Sequence, residues 1–405
     1  MSEPFRLPDG GRIDRSRRLA FTFDGRGYSG FAGDTLASAL LANGVRLVAR
    51  SMKYHRPRGI MTAGVEEPNA LLTIGDGELA TPNMKATEVA LYDGLAARSQ
   101  NVWPTLAYDA GAVNQWLAPL LPAGFYYKTF MASQGFWQHL AEPFIRRAAG
   151  FGRAPGRADA DSYDHRHVHA DVAIVGGGPA GLAAALVAAR AGLRVVLADM
   201  GSGLGGSLLY RDGEIDGRPA RQWLEAACQE LEASPAVRLL RRTVVTGHYD
   251  QGYLVAVERR REPGLRASGR GGPAERVWHV RASRVVLATG AHERPLVFPD
   301  NDRPGVMLAG AALSYLRQHA VAVGRAPLVF TQNDTAYETA FALARSGWSR
   351  VAAIVDTRTE PTPHLLAEAE GLGIRVERAA VVVGVKGRAG VQSAEIMTLA
   401  PDGGA

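Results

Sequence analysis

Cysteine is nearly absent from this sequence: Cys228 is the only one among 405 residues. An internal disulfide, a Cys-x-x-Cys redox pair and an iron–sulfur cluster ligated by this chain's cysteines each need more than one, so the composition excludes all three. Cys228 lies in the predicted helix Ala220 to Leu231. We interpret it as a small packing residue rather than a reactive thiol.

Long apolar runs are also missing. No window offers the ~18 uninterrupted apolar residues that a membrane-spanning helix needs. The start of the chain, Met1 to Arg18, mixes arginines with acidic residues and has no apolar core, so it predicts neither a secretory signal nor a transit peptide. We therefore expect a cytoplasmic protein without a membrane partner.

Positive charge is in small excess, at a net charge of +6. Much of this excess lies in one Gly- and Pro-rich stretch between two strand-like runs, at Arg259, Arg260, Arg261, Arg266, Arg270 and Arg276. A solvated hairpin loop explains the stretch better than a nucleic-acid-binding face, which needs basic groups on an ordered recognition element. We predict no nucleic-acid partner.

The length of the chain predicts two or three domains, because 405 residues exceed what one hydrophobic core usually supports. Residues 1–105 predict a ubiquitin-like or ferredoxin-like β-grasp domain without cluster cysteines. Its elements are a strand pair from Leu19 to Gly30, a capped helix from Asp34 to Gly44 and a strand from Ala70 to Ile74.

Residues 106–169 predict an aromatic-rich helical connector followed by a linker. The aromatic side chains around this connector favour packing in a core or between domains over a ligand site; they are Trp103, Tyr108, Trp116, Phe125, Tyr126, Tyr127, Phe130, Phe136 and Trp137. The linker is predicted from Phe151 to His169. His165, His167 and His169 alternate there, but no cysteine or carboxylate completes a ligand set, so we predict no metal site.

The most informative motif opens the next domain, residues 170–307, where strand and helix alternate as in a doubly wound α/β sheet. An apolar strand runs into a Gly-x-Gly-x-x-Gly turn and an alanine-rich helix. Gly176 makes the tight turn, Gly178 lets backbone N–H groups approach a pyrophosphate, and Gly181 lets the helix pack on the strand. Pro179 and Ala180 begin that helix, whose positive end faces the phosphates. The motif predicts a bound dinucleotide.

An acid in the expected place strengthens this prediction. Asp199 ends the strand that begins at Leu193 and lies 23 positions after Gly176, where a carboxylate accepts hydrogen bonds from ribose hydroxyls. A glycine-rich turn without a ligand would not require strand, turn, helix and acid in this order. Further contacts are predicted in a second turn, in the strand Thr243 to Thr246 and after the strand that begins at Val285: Gly205, Gly206, Ser207, Val245, Ala288, Thr289 and Gly290.

Residues 308–405 predict an inserted second α/β unit that is incomplete. Its strand–helix–strand pattern runs from Ala326 to Val355, but its first turn lacks glycines where phosphates need the backbone, so we predict no second dinucleotide. No strand that would return to complete the first sheet follows before Ala405. We expect a truncated sequence, or one that another chain completes.

Three longer runs carry a family resemblance: Lys53 to Leu71, Gly124 to Met131 and Gly290 to Pro295. They closely resemble signatures of the alpha subunit of heterotetrameric sarcosine oxidase, and the resemblance covers essentially the whole chain. It implies a complex with beta, gamma and delta subunits that demethylates sarcosine to glycine, forms hydrogen peroxide and passes a one-carbon unit to tetrahydrofolate.

The resemblance also implies where the cofactors lie. The alpha subunit binds NAD as a resident ligand, covalent FMN lies at its interface with the beta subunit, and the amine is oxidised at FAD in the beta subunit. No residue of this chain is then expected to be catalytic for that step, and the isolated chain is expected to be inactive. Tetrahydrofolate is expected only if the missing carboxy-terminal, aminomethyltransferase-like region is supplied.

Alternatives remain open at this point. The glycine turn fits NAD and FAD alike, and the resemblance alone favours NAD. The chain could be a non-catalytic assembly module with structural NAD, or an alpha-type subunit of a related amine or amino-acid dehydrogenase complex. A self-sufficient flavin-dependent reductase would need a second glycine-rich turn or a Cys-x-x-Cys pair, and the sequence has neither.

Overall fold

A computed structural model describes residues 3–77, 80–121, 124, 132–148, 150–152, 154, 156–159, 161–265 and 272–400. The chain forms two compact units, one from Met1–Arg157 with Glu293–Ala405 and one from Ala158–His292. The signature segment 125–131, and with it four of the connector's aromatic residues, lies outside the described residues, as do Arg266, Arg270 and residues 401–405. No helix of the described part is long and apolar enough to cross a membrane.

The first unit begins with a mixed sheet and one buried helix. Its elements are β1 (Asp14–Phe23), β2 (Arg26–Ala32), α1 (Leu36–Ala42), β3 (Ala49–Arg50), β4 (Pro57–Arg58), β5 (Leu71–Ile74), β6 (Thr81–Lys85) and β7 (Leu95–Ser99). Five strands form one sheet in the order β2-β1-β7-β5-β6, with β1 and β7 parallel. Thr35 and Ser38 form a capping box that starts α1, and every residue of this helix is buried. The predicted strand pair and capped helix are confirmed.

The described part of the segment that follows has little regular structure. It contains the 3₁₀ helices Ala110–Gln115 and Ala118–Leu120, then α2 (Gln134–Phe136), a π-helical turn Trp137–Ala141 and α3 (Glu142–Ala148). Trp103, Tyr108 and Trp116 are each more than 70% exposed here. The predicted packing in a core or between domains is therefore wrong for these three residues, which the described part of the chain leaves exposed.

The second unit is built on a six-stranded sheet. Its elements are β8 (Tyr163–Val175), α4 (Pro179–Arg190), β9 (Val195–Ala198), β10 (Glu214–Ile215), β11 (Arg218–Pro219), α5 (Ala220–Ala233), β12 (Val237–Leu240), β13 (Thr243–Tyr249), β14 (Tyr253–Arg259) and β15 (Glu275–Leu287). The sheet order is β12-β9-β8-β15-β14-β13. The first four strands are parallel, and β13 to β15 form an antiparallel meander. Cys228 lies half-buried in α5 among apolar side chains, in agreement with a packing role.

The long strand β8 corrects the predicted linker, which was expected to reach His169. Residues from Tyr163 onward pair with β15 instead. The exposed His167 and His169 alternate with the half-buried Val168 and the buried Ala170, which is the period-two pattern of a strand with one covered face. The polar composition concealed this pattern. No described group of three His, Cys, Asp or Glu side chains is arranged to hold a metal ion.

The histidines of β8 lie beside His279 of β15. His165 and His167 stack on the ring of His279 at centroid distances of 5.5 and 4.6 Å, and the Tyr253 hydroxyl lies 2.6 Å from its Nδ1. Partial burial and the charges of His167 and His165 lower the pKa of His279. The two neighbouring imidazoles therefore disfavour the charged form of His279.

We expect His279 to titrate below the usual range of histidine in an NMR pH titration of its imidazole protons. Since the unfolded chain then binds more protons, the free energy of unfolding falls as the pH drops through about 6.5. The double variant His165→Gln/His167→Gln removes the charge repulsion and leaves the burial, so the midpoint should rise part of the way toward its usual value. An unchanged midpoint would show that the stacked imidazoles do not interact electrostatically.

The chain then returns to the first unit. Its last elements are α6 (Ala309–His319), β16 (Leu328–Thr331), α7 (Thr335–Arg345), β17 (Ala353–Asp356), α8 (Pro363–Gly371), β18 (Val376–Arg378), β19 (Ala380–Lys386) and β20 (Ser393–Thr398). Strands β16, β17 and β18 form a parallel sheet, and β19 pairs with β20. Tyr315 and Val321 lie in the same core as the amino-terminal sheet. The chain thus passes from one unit to the other between residues 157 and 158 and again between residues 292 and 293. The corresponding predicted domain boundaries lie between residues 169 and 170 and between residues 307 and 308.

Candidate dinucleotide site

The glycine turn lies between the ends of three parallel strands of the second unit. The N–H of Gly176 donates to the carbonyl of Ala198 after β9, and the N–H of Ala288 donates to the carbonyl of Val175, both at 2.8 Å. Gly176 has a φ of +105°, and a Cβ added to it would lie 2.2 Å from the carbonyl oxygen of Ala288. Only glycine therefore fits the first position of this turn.

The other two motif glycines have different surroundings. A Cβ on Gly181 would lie 1.8 Å from the carbonyl oxygen of Gly176, so this buried glycine allows the close contact between α4 and the turn. A Cβ on Gly178 would meet nothing nearer than the Cα of Gly206, at 4.0 Å. Gly178 precedes Pro179, the first residue of α4, and so its open side lies at the positive end of the helix.

The predicted acid is held at this turn by backbone groups. One carboxylate oxygen of Asp199 accepts from the N–H of Gly177 at 2.6 Å, and the other accepts from the N–H of Gly201 at 2.7 Å. Each oxygen of an ionised carboxylate retains a second lone pair. Asp199 is half-buried. Its carboxylate therefore stabilises the turn and keeps lone pairs that can accept further hydrogen bonds. We did not predict the roles of Gly177 and Gly201, although the sequence Asp199-Met200-Gly201 has the spacing of a side-chain-to-backbone turn.

The second predicted turn packs directly against the first. The N–H of Gly205 donates to the carbonyl of Gly177 at 2.8 Å. Gly206 has a φ of +54°, and a Cβ on it would lie 3.0 Å from the Cα of Gly178. Ser207, half-buried, is the second residue of the short 3₁₀ helix Gly206–Leu209 that follows.

The remaining predicted residues lie at the same edge of the sheet. The carbonyl oxygen of Ala288 is the atom that a Cβ on Gly176 would strike, whereas Thr289 and Gly290 are exposed. Val245 is half-buried on β13. Two residues before it, the N–H of Thr243 donates to the carbonyl of Asp199 at 2.8 Å. The structure thus brings the two turns, the acid and the end of β15 together, while binding roles for these residues stay predictions.

Two family models match the chain. Residues 170–399 match the pyridine nucleotide-disulphide oxidoreductase model, and residues 16–102 match a 2Fe-2S iron-sulfur cluster binding domain. The predicted combination of a ferredoxin-type amino-terminal domain with an FAD/NAD-binding Rossmann-type domain is confirmed at this level.

The resemblance to sarcosine oxidase alpha subunits is also confirmed. The chain is 52% identical over 396 residues to sarcosine oxidase subunit alpha of Rhizobium meliloti (strain 1021), and 42% identical over 387 residues to that of Corynebacterium sp. (strain P-1). These matches cover 97% and 94% of this chain but only 39% and 35% of the relatives.

A solved structure has the same fold over most of this length. The L-proline dehydrogenase from P. horikoshii aligns with 97% of this chain and 58% of its own, at a TM-score of 0.61 and 22% identity. This likeness concerns the fold alone. The oxidoreductase model spans more than half of the sequence, and by that match the chain belongs to the pyridine nucleotide-disulphide oxidoreductase family.

Proposed function

We propose that this chain is the NAD-binding alpha subunit of a sarcosine oxidase. The observation that carries the proposal is the similarity to sarcosine oxidase alpha subunits along nearly the whole chain. The proposed complex oxidatively demethylates sarcosine to glycine, forms hydrogen peroxide and transfers the one-carbon unit to tetrahydrofolate. Amine oxidation takes place at FAD in the beta subunit, so no residue of this chain is catalytic for it.

The glycine turn supports a bound dinucleotide because its residues fit one, and the resemblance to sarcosine oxidase alpha subunits favours NAD over FAD. The open side of Gly178 and the first turn of α4 would receive the pyrophosphate, and Asp199 would receive the adenosine ribose. Backbone groups of Val245 would face the adenine, and Thr289 and Gly290 would close the site. Bound NAD can carry hydride, but we propose a resident ligand here, which stabilises the folded unit by mass action.

Partner subunits follow from the same proposal. The beta subunit would hold FAD and share the covalent FMN, the gamma and delta subunits would complete the complex, and folate would bind a region outside this chain. Exposed aromatic side chains at Trp103, Tyr108 and Trp116 support such partners, since aromatic residues are enriched at the centres of protein interfaces.

The amino-terminal domain does not fit the cluster that its family model implies. Residues 16–102 contain no cysteine, because the only cysteine of the chain is Cys228. Iron–sulfur clusters are held by cysteine thiolates, with histidine replacing two of them in Rieske centres. We therefore propose that this domain carries no cluster.

Cofactor analysis of the purified chain tests the proposal. We expect heat or acid denaturation to release NAD, identified by chromatography, in a ratio approaching one per chain, and we expect no visible flavin absorbance. Flavin released in that ratio would overturn the NAD assignment. Copurification from the native host would then identify the associated subunits, and their absence would contradict the proposed complex.

Replacing Asp199 with alanine should weaken retention of the dinucleotide. Loss of this half-buried hydrogen-bond acceptor for the ribose costs about 1–3 kcal/mol, or roughly five- to 150-fold in affinity. The measurement is the NAD content of the variant after gel filtration. Asp199→Asn keeps one of the two acceptor oxygens, so it should lose less NAD than Asp199→Ala. A full complement of NAD in Asp199→Ala would exclude the proposed ribose contact.

A further inference from the structure

A buried carboxylate organises the loop between β4 and β5. Glu67 is 2% exposed, and its Oε2 accepts from the N–H of Met61 at 2.9 Å and of Thr62 at 2.7 Å. Its Oε1 accepts from the N–H of Asn69 at 2.8 Å and of Ala70 at 3.0 Å. The Thr62 hydroxyl donates to Oε2 as well, at 3.2 Å. Five donors from both ends of one loop thus converge on a single side chain.

Three residues of this loop have the spacing of cluster ligands in ferredoxins, although none of them is a cysteine. Plant-type ferredoxins hold three of their four cysteine ligands in a C-x₄-C-x₂-C run. Thr62, Glu67 and Ala70 stand at these intervals, within the segment that matches the cluster-binding family model. The sulfurs of such clusters accept hydrogen bonds from the protein around them. In this chain the donors of Thr62 and Ala70 are directed to Glu67 instead.

We propose that the carboxylate of Glu67 takes the place of an iron–sulfur cluster as the anionic acceptor that holds this loop in its folded form. The domain then keeps the ferredoxin-type fold as a scaffold and carries no electrons. This role rests on the proposed absence of a cluster and is independent of which dinucleotide the second unit binds.

The same loop is tied to a distant helix. The Tyr315 hydroxyl on α6 donates to the carbonyl of Thr62 at 2.7 Å, and the N–H of Leu308 donates to the carbonyl of Met61 at 2.9 Å. Tyr315 is buried, and its burial and the carboxylates of Glu67 and Glu66 raise its pKa well above the usual range, so that it remains a donor. The arrangement of the loop around Glu67 therefore also fixes the position of α6 in the core of the first unit.

The test compares Glu67→Gln with Glu66→Gln in the full chain. Glutamine at 67 keeps the size of the side chain but presents an NH₂ group to backbone donors. We expect the thermal unfolding midpoint to fall by about 5 °C or more for Glu67→Gln. Glu66 is a half-buried neighbour in the same loop, and its variant controls for a change of charge there. Equal midpoints for the two variants would overturn the proposal.

Chemical rescue gives an independent readout. In Glu67→Ala the convergent N–H groups face a space that fits a small carboxylate, so sodium formate should raise the unfolding midpoint more than sodium chloride at equal ionic strength. Equal effects of the two salts would overturn the role of Glu67 as an anionic acceptor. If Glu67→Ala does not fold, the comparison of Glu67→Gln with Glu66→Gln tests the proposal instead.

Anaerobic treatment of the wild-type chain with iron and sulfide is a separate test of the absence of a cluster. Stoichiometric binding of iron and sulfide would contradict that absence.

Discussion

Replacement of Gly181 with alanine is expected to destabilise the second unit severely. The added Cβ would lie 1.8 Å from the carbonyl oxygen of Gly176, and backbone on both sides would have to move apart to admit it. Overpacking of a core costs about 3 kcal/mol in unfavourable cases, and here the contact is with backbone rather than with a side chain that can rotate away. We expect a large fall in the unfolding midpoint together with loss of the bound dinucleotide.

Gly203 offers a matched control for this substitution. It lies in the same unit, and a Cβ added to it would meet no atom within 4 Å. Gly203→Ala should therefore unfold within about 0.5 kcal/mol of the wild type and keep its dinucleotide. If Gly181→Ala were as stable as Gly203→Ala, the close approach of α4 to the turn would not be required.

The glycine motif predicted the local geometry of its turn, whereas the binding of a dinucleotide there stays a prediction. The positive φ of Gly176 and the packing of Gly181 follow from the glycine motif, because each excludes any larger residue. The motif did not reveal that Asp199 also braces the turn. Its bonds to Gly177 and Gly201 depend on where the loops after β8 and β9 meet, which no local pattern determines.

Two predictions outside the site failed for different physical reasons. The segment from Tyr163 to His169 has the polar composition of a linker, although it forms the first half of a paired strand. The aromatic residues near Trp103 and Trp116 resembled a core because apolar character does not tell which chain covers them.

Glu67 was overlooked for a third reason. It stands in a run that carried the family resemblance, and its spacing from Thr62 and Ala70 is visible in the sequence. Without cysteine, that spacing alone does not indicate a ligand. The four backbone N–H groups that converge on Glu67 are visible only in the structure.

Replacement of Gly178 with alanine should separate ligand binding from folding. A Cβ at this position would meet only the Cα of Gly206, at an unstrained 4.0 Å, and Gly178 has an extended backbone conformation that alanine adopts freely. The variant should therefore unfold within about 1 kcal/mol of the wild type, measured without added dinucleotide. Its retention of dinucleotide should fall at least about tenfold, since the methyl group occupies the space through which backbone N–H groups reach the pyrophosphate.

Comparison of Gly178→Ala with Gly181→Ala tests whether the glycine turn binds a pyrophosphate. If both glycines served only to let α4 approach the turn, the two variants would lose stability together. If Gly178 instead keeps open the path of a pyrophosphate, its variant loses dinucleotide at nearly constant stability, as equilibrium dialysis and thermal unfolding would record. Undiminished binding by Gly178→Ala would place the phosphates elsewhere and leave the open side of this turn without a ligand.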